Sequence, residues 1–215
     1  MKNHLILLFI FISVACTRAT HAGEPMQSQS QSQASALAFR FEPGVREIEV
    51  LGGAFLGFNR TPSEKRPAID FVSQTLRVGW MLSSPHGQGL LRGNTEFLVG
   101  LWGGEIYQGP GSGLAGLSLL LRYNFVQPEA RFVPFVGASV GVLCDDVFHQ
   151  RTQHLVGSAF EFDLGASVGA RYLLGKNWAI IAEGGFRHIS NAGISSRNFG
   201  LNTLGGQIGL SCFFR

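Results

Sequence analysis

The sequence predicts an all-β fold, an eight-stranded antiparallel transmembrane β-barrel of the bacterial outer membrane. Three observations predict it. The chain opens with an export signal, apolar and polar residues then alternate with period two over unusually long stretches, and eight such stretches follow one another. Composition agrees. Only 14% of the 215 residues are charged, 45% are hydrophobic, and there are 29 glycines, whereas a soluble domain carries about 25% charged residues. Neither a typical soluble enzyme nor a disordered chain has this make-up. The net charge of +3 is mild, and Lys and Arg are scattered without a basic run, so no nucleic-acid partner is expected.

The first element is a signal peptide, residues 1–22. Lys2 precedes an apolar run from Leu5 to Val14, shorter than the roughly 20 residues of a membrane span and matched to a secretory h-region. Thr20 and Ala22 place cleavage before Gly23, after Sec-type export. Cys16 is the alternative, as a lipoprotein acceptor, although Ser13 stands where a large aliphatic residue belongs. Residues 23–44, beginning "GEPMQSQSQSQASA", are polar and of low complexity. They read as a flexible segment that buries no core. The two later cysteines, Cys144 and Cys212, fall on different strands and read as small hydrophobic residues.

Residues 45–215 form the barrel. Its strands are expected at 45–58, 70–82, 94–105, 114–125, 132–143, 159–173, 176–189 and 200–214. In the second, Val72, Leu76, Val78, Trp80 and Leu82 alternate with Ser73, Thr75, Arg77 and Gly79. In the fourth, Leu117, Leu119, Leu121, Tyr123 and Phe125 oppose Ser118, Leu120, Arg122 and Asn124. In the sixth, Phe160, Phe162, Leu164, Ala166, Val168, Ala170 and Tyr172 oppose Glu161, Asp163, Gly165, Ser167, Gly169 and Arg171. Successive strand side chains point to opposite faces, so each strand has one apolar and one polar side. Soluble strands run about 5–6 residues; a membrane strand needs roughly 9–11.

Alternation alone does not say which face is inside. The signal, the strand length and the aromatics at strand ends put lipid outside and a polar interior within. An even strand number closes the sheet and leaves no edge in hydrocarbon. With the first strand running outward, loops near 59–69, 106–113, 144–158 and 190–199 face outside. Turns near 83–93, 126–131 and 174–175 face the periplasm. A solute pore is disfavoured, because the interior of so small a barrel is filled by side chains, here including Arg77, Arg122, Glu161 and Arg171.

The chemistry gathers in "FRHISNAGISSRNFGLNT", 186–203. In the seventh strand Trp178, Ile180, Ala182, Gly184 and Phe186 take the apolar side, and the alternation carries His188 and Ser190 onto it. In the eighth, Asn202 shares the face of Leu204, Ile208 and Leu210. An unpaired polar group in hydrocarbon costs several kcal/mol, so these three are expected to bond one another. A hydroxyl, an imidazole and an amide are the parts of a nucleophile, a base and an orienter, and such a site faces membrane lipid. The plain alternative is a polar rim in the headgroup layer.

Other features carry less. Glu183 and Arg187 read as a lumen network with Arg171, Glu161 or Asp163. Asp145, Asp146, His149 and His154 share a loop without fixed ligand spacing, so no metal is expected. Arg60, Lys65, Arg66, Arg151 and Arg197 lie in outward loops, where they can meet phosphates. "GPGSG" at 109–113 is a turn and not a phosphate loop.

The stretch "FRHISNAGISSRNFGLNTLGGQIGLSCFF" resembles the PagL family of outer-membrane lipid A deacylases, and the likeness extends more loosely over the barrel. His188, Ser190, Asn191, Gly193, Asn198 and Gly200 match the family pattern. The resemblance implies hydrolysis of an ester-linked (3-O) hydroxyacyl chain of lipopolysaccharide, with no cofactor and no metal. It implies Ser190 as nucleophile and His188 as general base. Asn198, with the backbone N–H of Gly193, would stabilise the oxyanion, and Asn191 would order the loop. The family's orienting glutamate, twelve residues after the serine, is Asn202 in this chain. A catalytically silent barrel with a structural or surface role is the rival from another class.

Overall fold

The computed structural model describes residues 39–58 and 67–215. The expected signal peptide and most of the segment 23–44 lie outside the described residues. The eight strands are β1 (Arg46–Gly57), β2 (Asp70–Met81), β3 (Asn94–Gln108), β4 (Gly113–Asn124), β5 (Phe132–Asp145), β6 (Phe160–Leu174), β7 (Trp178–Ser190) and β8 (Leu201–Phe214). Each pairs antiparallel with the next, and β1 pairs with β8 to close the barrel. The fold expected from alternation is the fold observed. Every strand is twelve residues or longer, and closure satisfies the backbone of all of them within the sheet.

The outer face is apolar. Val72, Leu76, Leu117, Leu119, Leu121, Val168, Leu204 and Ile208 are all exposed, which in lipid is their favourable state. The inner face is packed in three layers. At the end where β1 begins and β8 finishes, Phe41, Val45, Met81, Val126, Val133, Leu173, Ala179 and Phe213 form an apolar seal. Phe39–Phe41 is a short 3-10 turn inside the stretch that the sequence reads as polar. Phe41 is fully buried against Phe213, and its carbonyl accepts from Asn94 Nδ2 at 3.1 Å. Phe41 is buried and Phe39 half-buried in this packing.

The middle layer is ionic. Arg171 meets Glu96 at 2.8 Å and Glu49 at 3.2 Å, Arg122 meets Glu49 at 2.5 Å, and Arg77 meets Glu183 at 2.6 Å. Buried charges persist only when paired and hydrogen-bonded. Here they interlock and fill the lumen. Glu183 thus pairs with Arg77, while Arg187 pairs with Asp163.

At the opposite rim a second apolar layer includes Phe55, Phe71, Trp102, Leu143, Ile189 and Leu201. Two of these matter for direction. Ile189 and Leu201 face inward and are buried, so their strand neighbours His188 and Asn202 must face out. A one-residue slip would turn every side chain over. The Arg187 guanidinium lies 3.7 Å above the Trp102 ring, a second inward anchor for the end of β7.

Candidate functional site

β7 and β8 are the elements that position the site. His188 sits directly opposite Asn202 in their register. On the other side, Leu164 of β6 faces His188, and Phe162 faces Ser190. Ser190 is the last residue of β7, two along from His188 on the same outward face. All three polar side chains are partly exposed, beside the exposed Phe58, Phe186 and Leu204.

His188 Nδ1 lies 2.7 Å from Asn202 Oδ1. A carbonyl oxygen only accepts, so Nδ1 carries the hydrogen and the neutral ring keeps its lone pair on Nε2. Gly200 makes the space for that ring. A Cβ at Gly200 would come within 2.7 Å of His188 Cε1, and φ there is +76°. Both facts call for glycine.

Asn191 is the centre of the loop that follows. It is fully buried. Its Oδ1 accepts from the N–H of Gly193 at 3.1 Å and of Ser195 at 3.3 Å, and its Nδ2 donates to Arg197 O at 3.2 Å. Its own N–H donates to Asn198 Oδ1 at 2.9 Å. Ala192 takes a φ of 51°, a left-handed value that a non-glycine residue keeps only where the surroundings hold it, and Gly193 follows at 86°, which glycine adopts without strain. The Gly193 N–H is therefore occupied by Asn191, and Asn198 is turned so that its carbonyl oxygen faces the loop.

Glu161 escaped notice in this role. The sequence placed it in the lumen network; in the structure its Oε1 accepts from the N–H of Gly157 and Ser158 at 3.1 and 3.0 Å and from Asn191 Nδ2 at 3.4 Å. It joins the β5–β6 loop to the β7–β8 loop. Gln153 does the same work within the β5–β6 loop. Buried, it accepts from the N–H groups of Leu155 and Val156 and donates to the carbonyls of Val147 and Val156. Only the alternation of β6, which turns Glu161 inward, gave a signal for either residue.

The acidic and histidine residues of 145–154 scatter. Asp146 accepts from the Ser112 N–H and hydroxyl and from the Gly113 N–H, and His154 packs near Phe199. Among the described residues no group of three or more His, Cys, Asp or Glu side chains is placed to hold a metal ion.

Eight strands closed on a charged, filled lumen, with an apolar outer surface, define an outer-membrane β-barrel; a serine, a histidine and an asparagine share one outward patch at its rim. The chain belongs to the lipid A 3-O-deacylase (PagL) family, whose sequence model matches residues 74–211, from β2 to β8 and across the whole patch. Among solved structures it is similar to Neisserial surface protein A (NspA), with a TM-score of 0.51 and 15% identity over 79% of this chain and 97% of that one. The N-terminal β-barrel domain of Pseudomonas aeruginosa OprF gives a TM-score of 0.44 and 16% identity over 80% and 98%. At such identities the likeness to NspA is one of fold. No curated protein matches the sequence.

Proposed function

We propose that this protein is an outer-membrane esterase that removes a 3-O-linked hydroxyacyl chain from lipid A by a Ser190/His188 mechanism. The observation that carries it is the 2.7 Å contact from His188 Nδ1 to Asn202 Oδ1, because it leaves Nε2 as the base on a strand face shared with a hydroxyl. Family membership supports the substrate class, and the lipid-facing position supports a substrate that already resides in the membrane.

Ser190 Oγ attacks the ester carbonyl carbon while His188 Nε2 takes the hydroxyl proton. The C–O bond to the sugar breaks, and the imidazolium returns that proton to the departing sugar oxygen. A water, deprotonated in turn by His188, cleaves the acyl-serine to free fatty acid and regenerates the hydroxyl. Asn202 orients the ring throughout but adds no charge to stabilise the imidazolium. The oxyanion needs donors in place before reaction. Asn198 offers its Nδ2 once Oδ1 is fixed by Asn191; Gly193 joins only by releasing Asn191, and otherwise shapes the loop. No metal or cofactor enters these steps.

Refolded protein incubated with a fluorophosphonate ester tests the mechanism. Covalent modification at Ser190, absent in Ser190→Ala and at least tenfold slower in His188→Ala, is expected. Equal labelling of the wild type and Ser190→Ala contradicts it.

A further inference from the structure

The β5–β6 and β7–β8 loops border an open cleft of about 530 Å³ lined by Phe148, His149, Arg151, Gly157 and Arg197. Among the described residues no carboxylate lines it. Arg197 ties the two walls together, donating to Phe148 O at 2.9 Å and Gln150 O at 3.2 Å. Gly157 is packed so closely on Ser195 and Arg197 that a Cβ there would lie 2.5 Å from Arg197 O. The cleft is thus built from the same loop that carries the Asn191 hub, whose Nδ2 donates to Arg197 O. His149 and Arg151 are exposed, and Arg151 has no ion pair among the described residues. A braced, cationic cleft whose Arg151 guanidinium has no ion pair among the described residues is suited to a phosphate oxygen.

We infer that this cleft binds a phosphate of the lipid A sugar headgroup, with Arg151 as the direct contact and His149 beside it, while the acyl ester reaches Ser190. The inference rests on reading the rim patch as a lipid A esterase. The commitment to that headgroup follows from charge complementarity and from the continuity of cleft and catalytic loop. Arg197 contributes charge but chiefly holds the walls, so Arg151 is the informative position.

The test measures equilibrium binding of refolded Ser190→Ala protein, with and without Arg151→Ala, to micelles of three lipids. These are phosphorylated lipid A, lipid A stripped of phosphate, and phosphatidylglycerol. Arg151→Ala should weaken binding to phosphorylated lipid A about tenfold, the scale of one charge-assisted hydrogen bond, and leave the stripped form unchanged. An unchanged affinity for phosphorylated lipid A overturns the inference, as does an equal loss with the stripped form. An equal loss with phosphatidylglycerol also overturns it, since that marks a general anionic contact. Acyl release by protein with Ser190 intact is read separately. Its absence, with phosphate-dependent binding retained, removes the esterase and not the cleft; its presence with indifferent binding does the reverse.

Discussion

Asn202 stands directly across the β7–β8 ladder from His188, with its Oδ1 2.7 Å from the imidazole Nδ1. The amide fixes ring and tautomer without a charge. Asn202→Ala should therefore lower kcat for acyl release by about 10- to 100-fold, the range set by losing one hydrogen bond to a group that becomes charged. Asn202→Glu should keep or raise activity. A folded but inactive Asn202→Glu variant argues against the orienting role.

Gly200 lies under the same ring. Gly200→Ala places a methyl 2.7 Å from His188 Cε1 at a φ of +76°, so the imidazole must move. Activity should fall at least tenfold. Backbone strain adds roughly 1 kcal/mol of destabilisation, too little to open the barrel. Heat-dependent gel mobility in detergent should remain that of a folded barrel while acyl release is lost.

Asp146 stitches the β5–β6 loop to the β3–β4 turn. Burial favours its neutral form, but hydrogen bonds from the Ser112 hydroxyl and from the N–H groups of Ser112 and Gly113 win, holding its carboxyl below the usual 3.8. A depressed folded-state value gives stability that is present above the unfolded value and lost as pH falls through the folded one. Asp146→Asn should then melt below the wild type at pH 6. The gap in thermal midpoint should close progressively below pH about 4.

Arg171 is fully buried among Glu47, Glu49 and Glu96. Arg171→Met leaves those carboxylates without their shared partner. Unfolding in urea from detergent should show a loss of about 3–5 kcal/mol, the cost of breaking one side of a buried ion network. A neutral result would mean that Arg122 alone suffices to hold them.

The barrel was legible because lipid imposes a strict rule. Hydrocarbon outside and charge inside force a period-two pattern, and that pattern places each strand within about three residues of its observed ends. The outward turn of His188 and Asn202 was legible for the same reason. Less was legible where chain folds on itself through polar contacts. Nothing in the spacing says that Asn191 captures the Gly193 N–H, or that Glu161 reaches across to the β5–β6 loop. Those bonds depend on loop conformations, including a left-handed Ala192, that no periodicity encodes. At the other end, Phe39 and Phe41 interrupt the polar segment as two aromatics in three residues. Only the seal around Phe213 gives them a place to go.

The central claim is that Ser190 and His188 cleave an acyl ester of lipid A at the barrel wall. Mass spectrometry of lipid A from cells carrying the wild type, Ser190→Ala or His188→Ala tests it most directly. The account predicts loss of one hydroxyacyl chain with the wild type and intact lipid A with both variants, each present as a folded barrel. Intact lipid A with the folded wild type, or the same loss with Ser190→Ala, contradicts it.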